Sequence, residues 1–206
     1  MADPTDVAFS PTVKTVQERK GSRRVYADMQ MRRDVSPDLM GFIAERDSFY
    51  LATVSAEGQP YIQHRGGPKG FLRVLDAQTL GWADYRGNRQ YISIGNLTDN
   101  AKAFLFLMDY ANRRRIKIWG EARVVEGDEA LIDRLMPPDY RARPEQAFLF
   151  RITAWDSNCP QHIPQKFAAA DVAAALAERD RKIEALETEL AALRAAQDLD
   201  GAAGLK

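Results

Sequence analysis

Apolar residues follow a helical period at both ends of this chain and a strand period in between. Residues 11–31 read as a helix that Ser10-Pro11 starts, with Val13, Val16, Val25 and Met29 as scattered apolar positions and Gly21-Ser22 as an interruption. A second helix is better marked. Ser36 is a good N-cap, Pro37 suits the first helical position, and Leu39, Phe42 and Ile43 form one face. From Phe49 the pattern becomes that of strands. Residues 49–54 form a short buried-looking run, and residues 56–59 look like a hairpin turn into 61–65. Residues 71–75 and 79–83 flank a second turn. Residues 103–108 are apolar throughout, as a strand buried on both faces would be. Residues 115–119 alternate, the run continues to Val125, and 148–154 is the last strand candidate. Helical pieces are expected at 89–97 and 128–135, the second ended by Met136-Pro-Pro138. At least six β runs at short spacing predict a mainly β fold with flanking helices, a closed or nearly closed antiparallel barrel.

The C-terminal segment differs in kind. From about Ala168 it is rich in Ala, Leu, Glu and Arg. Val172, Leu176, Ile183, Leu186, Leu190 and Leu193 follow an a/d pattern, with Arg179 at one d position. Lys182 at g matches Glu187 at the next e of a parallel partner, and Glu189 matches Arg194 in the same way. A short self-associating coiled coil and a single amphipathic helix packed on its own domain both fit this pattern.

Composition narrows the function classes. The 206 residues suit one domain with extensions, and Lys+Arg and Asp+Glu balance at 29 each, so no broad field points to nucleic acid or an anionic membrane. The N-terminus lacks the basic-then-apolar order of a secretory signal, and no apolar run approaches the ~20 residues needed to span a bilayer. Cys159 is the single cysteine, which excludes an intrachain disulfide and fits a cytoplasmic location. Cys159-Pro-Gln-His162 has ligand-type residues, but no second pair completes a zinc site, so no metal is expected. In the basic run 113–117, alternation puts Arg113, Arg115 and Lys117 on one face, with Ile116 and Ile118 toward the core.

Two loops carry the candidate chemistry. They are Pro60-Tyr-Ile-Gln-His-Arg-Gly-Gly-Pro-Lys-Gly70 and Asp84-Tyr-Arg-Gly-Asn-Arg-Gln90. A phosphomonoester wants several charge-assisted donors. Arg65, Lys69, Arg89 and Arg115 stand near predicted strand ends, Gly87 and Asn88 suit a tight turn, and Arg89 opens a predicted helix whose free N–H groups favour an anion. The same residues also read as ordinary surface arginines beside loop glycines, and local chemistry does not choose between the two. Neither a P-loop nor a dinucleotide-binding glycine fingerprint is present.

Gln63-His-Arg-Gly-Gly-Pro68, the 84–90 loop, Gly95-Asn-Leu97 and Trp155-Asp-Ser-Asn-Cys-Pro-Gln-His162 together resemble the flavin-nucleotide-binding proteins of the pyridoxamine 5′-phosphate oxidase-like superfamily. The resemblance runs from about residue 13 to residue 166. It implies a split β-barrel homodimer with FMN at the subunit interface, acting as an oxidoreductase on an unidentified small molecule. With the terminal patterns, which for the coil lie outside the resemblance, the expected organisation is an N-terminal helical extension at 1–35, the FMN-binding split barrel at 36–167, the C-terminal helix or coil at 168–198 and a flexible tail at 199–206. By position, Ala83 and Asp84 lie along the flavin, and Arg89 and Gln90 flank the ribityl phosphate beside Asn88. Arg115 reaches the cofactor, and Gln63, His64, Arg65 and Gly66 line its other side. Gln90 stands where the oxidases usually carry lysine, which shifts the phosphate charge to Arg65, Lys69 and Arg115. Gln161 and His162 are the implied residues over the flavin from the partner subunit. The Arg-x-x-Leu-Leu-Lys strand and the C-terminal Arg-x-His signature of the oxidases are missing, so oxidation of pyridoxamine phosphate is not implied. A flavin-binding or redox-sensing module without turnover is the alternative, and a haem-binding relative is a third.

Overall fold

Two serine caps start the N-terminal helices. In the computed structural model, which describes residues 4–157 and 160–203, Ser10 Oγ accepts from the Val13 N–H at 3.3 Å and Ser36 Oγ from the Leu39 N–H at 3.2 Å. Helix α1 (Pro11–Arg19) is shorter than expected. Gly21 turns the chain with φ +73°, and only the single turn α2 (Arg23–Tyr26) follows. Helix α3 (Pro37–Ala44) buries Leu39, Phe42 and Ile43, the face its spacing predicts.

The strands are β1 (Ser48–Val54), β2 (Pro60–Gly66), β3 (Arg73–Val74), β4 (Thr79–Tyr85), β5 (Lys102–Asp109), β6 (Arg114–Val125) and β7 (Pro144–Ser157). Helices α4 (Ile92–Asp99) and α5 (Glu129–Leu135) interrupt them. All seven strands form one antiparallel sheet in the order β2-β1-β5-β6-β7-β4-β3. This is the split barrel with flanking helices. Phe49, Phe71, Trp82 and Phe148 fill its centre. Phe49 stacks on Phe71 at 5.5 Å and meets Trp82 edge-on at 5.1 Å, and Trp82 stacks on Phe148 at 5.0 Å.

Three expectations change. The 71–75 run pairs only at Arg73 and Val74, because Arg73 donates to the Leu135 and Met136 carbonyls at the end of α5 (3.2 and 3.0 Å). The 89–97 helix begins only at Ile92, because Arg89 and Tyr91 adopt φ +61° and +54°. The 103–108 strand is not buried on both faces. Ala103, Leu105 and Leu107 are core, while Phe104, Phe106 and Met108 are half-buried on the outer face of the sheet. Tyr50, Ile62 and Trp119 share that face.

Arg46 ties α3 to the end of β5. It donates to the Phe42 carbonyl (3.1 Å) and the Met108 carbonyl (3.0 Å), and lies 3.4 Å from the Asp109 carboxylate. Burial pushes that carboxyl up, yet the side-chain and backbone hydrogen bonds from Asn112, with Arg46 and Arg114 nearby, hold it below its ordinary value. The chain divides into two compact units, Met1–Ile163 and Pro164–Lys206. The second carries α6 (Ala169–Ala203), a continuous 35-residue helix that runs through residue 198. Asn158 and Cys159 lie outside the described residues.

A bulge at Trp119/Gly120 bends β6 against β7. A Cβ at Gly120 would collide with the Arg151 carbonyl oxygen and the Phe150 ring. Gly120→Ala is therefore expected to destabilise the fold by about 1–3 kcal/mol, read as a lower urea midpoint. An unchanged midpoint would show that β6 relaxes around the methyl group.

Candidate functional site

The two glycine–arginine loops meet through an ion pair. Arg65 on β2 binds the Asp84 carboxylate on β4 through one oxygen, and Gln146 on β7 donates to the other at 2.8 Å. The two charged side chains are only 13% and 8% exposed. The Arg65 guanidinium also lies over the Phe148 ring, 4.9 Å from its centroid. β2 and β4 are not neighbours in the sheet, so this pair bridges the gap that the strand order leaves open.

A cleft opens beside the pair. Tyr61, Gln63 and Arg65 form one wall, Asp84 and Tyr85 the other, and the 87–91 loop with the start of α4 forms the rim. Helix α4 is fixed in place by two hydrogen bonds: Ser93 Oγ donates to Gln63 Oε1 (2.8 Å, half-buried), and Asn96 Nδ2 donates to Thr53 Oγ1 (3.0 Å, buried). No side chain caps α4. Its first-turn residues Ile92, Ser93 and Ile94 line the cleft, so uncapped backbone N–H groups and the positive end of the helix dipole lie at the rim. The loop ahead of it is strained. Arg89 and Tyr91 both lie in the left-handed region, at a cost of about 1–2 kcal/mol each. Two contacts hold it: the Gln90 N–H donates to Asn88 Oδ1 (3.3 Å), and Arg89 Nε donates to the Tyr91 hydroxyl (3.0 Å).

Charge in this cleft is largely paired. Arg65 is held by Asp84, and Arg86 lies 3.7 Å from Glu145. Arg89 is exposed with no carboxylate in ion-pair range among the described residues. The Tyr85 hydroxyl is buried without a hydrogen-bond partner. Burial pushes that phenol up to about 12, Tyr140 adds to the rise, and Arg73 opposes it.

Of the residues singled out from the sequence, Gln63, Arg65, Asp84, Asn88, Arg89 and Gln90 line this one cleft. The others stand elsewhere. His64 points to the outer face, edge-on to Tyr50 at 5.6 Å, because successive strand residues face opposite ways. Gly66 ends β2 opposite Ser48. Ala83 is buried against Ile132, Leu135 and Ala147. Lys69 is exposed and pairs with Glu45 at 3.0 Å. Arg115 opposes Met108 across β5 and β6, and its buried Nε has no hydrogen-bond partner. Gln161 and His162 are exposed in the loop after β7. The expected sharing of charge among Arg65, Lys69 and Arg115 is thus corrected: the first two are paired with carboxylates, and the third lies outside the cleft. Tyr61, Tyr85, Ser93 and Glu145 were not singled out in the sequence, although Tyr61 and Tyr85 lie within the two candidate loops. No group of three His, Cys, Asp or Glu among the described residues is placed to hold a metal ion.

The buried pair makes a direct prediction. Asp84→Asn leaves Arg65 buried without its counter-charge and should cost about 3–5 kcal/mol. Removing both charges with Arg65→Met and Asp84→Leu should cost clearly less than the sum of the single changes in a denaturation cycle. Additive losses would mean that the two groups are not coupled.

Comparison with known proteins follows this geometry. The family model for pyridoxamine 5′-phosphate oxidase matches residues 35–159, more than half of the chain. No curated protein matches. Among solved structures, a putative pyridoxamine 5′-phosphate oxidase from Lactobacillus delbrueckii is 19% identical, over 61% of this chain and 95% of that one, with a TM-score of 0.47. An FMN-binding protein from Syntrophomonas wolfei is 14% identical, over 70% and 97%, with a TM-score of 0.46. HutZ, a haem storage protein from Vibrio cholerae, is 19% identical, over 57% and 89%, with a TM-score of 0.38. With residues 35–159 matched and the split barrel in place, the chain belongs to the pyridoxamine 5′-phosphate oxidase family.

Proposed function

We propose that this protein is an FMN-binding flavoprotein, a cytoplasmic homodimer with FMN at the subunit interface that acts as an oxidoreductase on a small molecule. The observation that carries the reading is the rim of the cleft, where uncapped N–H groups of α4, the Arg89 guanidinium and the Asn88 and Gln90 amides converge. That donor set suits a phosphate. The unpartnered Tyr85 hydroxyl adds a buried donor. FMN, when bound, supplies the electron-carrying ring. The chain would hold its phosphate at Arg89 and the start of α4, keep Gln63 oriented through Ser93, and exclude water with Tyr61 and Tyr85.

The cleft has a volume of about 50 Å³. Pockets that enclose a small molecule hold ~300 Å³ or more. One subunit therefore fits the phosphate end and leaves the ring outside, which supports a shared site. The outer face of the sheet supports it too. Tyr50, Phe104, Phe106, Met108 and Trp119 form an apolar surface there, with Ile62 65% exposed. Gln161 and His162, which stand outside their own cleft, are the candidates to reach the cleft of a second copy. No helix among the described residues is long and apolar enough to cross a membrane.

A second reading, a flavin module without turnover, has one specific support. The carboxylates of the cleft, Asp84 and Glu145, are both held by arginines, so neither is free as an acid or base.

Added FMN should bind, turn the protein yellow and be released on denaturation; failure to take up FMN sinks the proposal. Arg89→Ala should weaken that binding roughly 10- to 100-fold, and unchanged affinity would remove Arg89 from the phosphate site. Reduction of the bound flavin by a nicotinamide nucleotide, followed by reoxidation, supports the enzyme. Binding without reduction by any donor supports the module. Truncation after Phe167 should leave an FMN-binding dimer in sedimentation, and a flavin-free monomer would refute the barrel interface.

A further inference from the structure

Helix α6 presents an apolar seam that nothing in its own unit covers. Every described side chain from Ala169 to Arg194 is exposed. Val172, Leu176, Ile183, Leu186, Leu190 and Leu193 are between 43% and 58% exposed. In proteins most helical stability comes from packing an apolar face, so a seam left in water forgoes that gain. The seam also has the wrong period for a flat surface. Leu176, Ile183 and Leu190 stand seven residues apart, as do Leu186 and Leu193. On a straight helix such a stripe drifts by ~20° per heptad, and it stays in contact only when two helices wind around each other.

We propose that α6 pairs in parallel, and in register, with α6 of a second copy of this chain. Charge selects the partner. In parallel pairing, g faces the next e, so Lys182 meets Glu187 of the second copy and Glu189 meets Arg194, twice over by symmetry. Antiparallel pairing sets e against e and g against g, which brings Lys182 against Glu189 but also Glu187 against the same acid, or against Asp180, of the other helix, so only the parallel pair makes every charged contact attractive.

Arg179 fixes the register. It occupies a d position between Leu176 and Ile183, and its guanidinium is turned onto its own Asp180, with Nη2 and Nε donating to Oδ1 at 3.0 and 3.3 Å. Asp180 is an e residue at the edge of the seam, so the charge is drawn off the axis and matched within one helix. In register, the two Arg179 share a single layer. A slip of one heptad sets each against Val172 or Leu186 of the other chain and damages two layers instead of one. A single polar core position is known to act on register in this way.

Cross-linking of the full chain tests this, in a Cys159→Ser background that removes its single other thiol. In a parallel pair the two residues 193 lie side by side in a d layer, within disulfide reach. Leu193→Cys should oxidise to a covalent dimer in most chains, whereas Arg181→Cys, at the outward f position, should stay reduced. Adding Ile183→Asp to Leu193→Cys should abolish the cross-link, while the size of the barrel assembly stays as it was. Leu193→Cys no more linked than Arg181→Cys overturns the proposal, whether the seam then belongs to an antiparallel pair, to the chain's own barrel or to a lipid surface. A cross-link indifferent to Ile183→Asp overturns it as well.

Discussion

The Arg65–Asp84 pair is the constraint on which the rest of the barrel rests. Hydrogen-bonded strand pairing carries the sheet from β2 through β1, β5, β6 and β7 to β4, with the two-residue β3 beyond it, and nowhere pairs β2 with β4. β2 and β4 meet by other means, and a buried charge pair joins them. Taking an arginine and an aspartate out of water costs several kcal/mol per ion. Here much of the loss is offset: one carboxylate oxygen takes Arg65, the other takes the Gln146 amide, and the guanidinium plane lies over Phe148, although the buried Arg65 Nε has no partner. The result sets β2 opposite β4 at one separation. Gln63 and Tyr85, one residue or two along those strands, then face a common cleft.

The cleft inherits its rigidity from that bridge and its polarity from the loop beyond it. β4 ends at Tyr85, and the chain must reverse into α4 within six residues. It does so through two left-handed residues, neither of them glycine. Such strain persists only where the surroundings over-determine it. Ser93 on Gln63 and Asn96 on Thr53 provide that fixity, because they anchor α4 to β2 and β1 from the far side of the loop. A helix start left without a cap and aimed at a cleft is ready for an anion, and Arg89 stands beside it.

Much of the fold was legible in the sequence because caps and strand alternation are local. Ser10 and Ser36 act where they were expected, and α3 buries the predicted face. The misreadings have physical causes. A strand apolar on both faces reads the same whether its second face meets a core or awaits a partner, so Phe104 and Phe106 were indistinguishable from core residues. The dihedrals of Arg89 and Tyr91 are imposed by tertiary anchors, and helix propensity has no access to them. The two arginine loops could be recognised as a pair. That Arg65 and Asp84 would neutralise each other depends on closing a seven-stranded sheet, which no local pattern reports. Ser93 and Tyr85 lie within segments that stood out, but a serine in a helix and a tyrosine in a strand are individually ordinary.

On the proposed phosphate reading, the charge within one cleft is at most just sufficient. Arg65 is neutralised by Asp84 and Arg86 by Glu145, which leaves Arg89 and the start of α4. That amounts to roughly one and a half positive charges at most, counting about half a charge for the helix end. A phosphomonoester brings ≈ −1.5 to −2 at neutral pH. Gln90, a neutral amide where the oxidases carry lysine, adds a donor without closing the difference. Amides at Gln63, Asn88 and Gln90 can satisfy phosphate oxygens by hydrogen bonding, but they do not supply the missing charge. Where the phosphate carries more than that, a second copy in the proposed dimer would supply the rest. The apolar face of β5 is where a second copy would bring it, and Arg115, on that face, has a buried nitrogen still without a partner. Within one chain this arginine is an unexplained cost. In the proposed dimer it would be a candidate to add charge to that site.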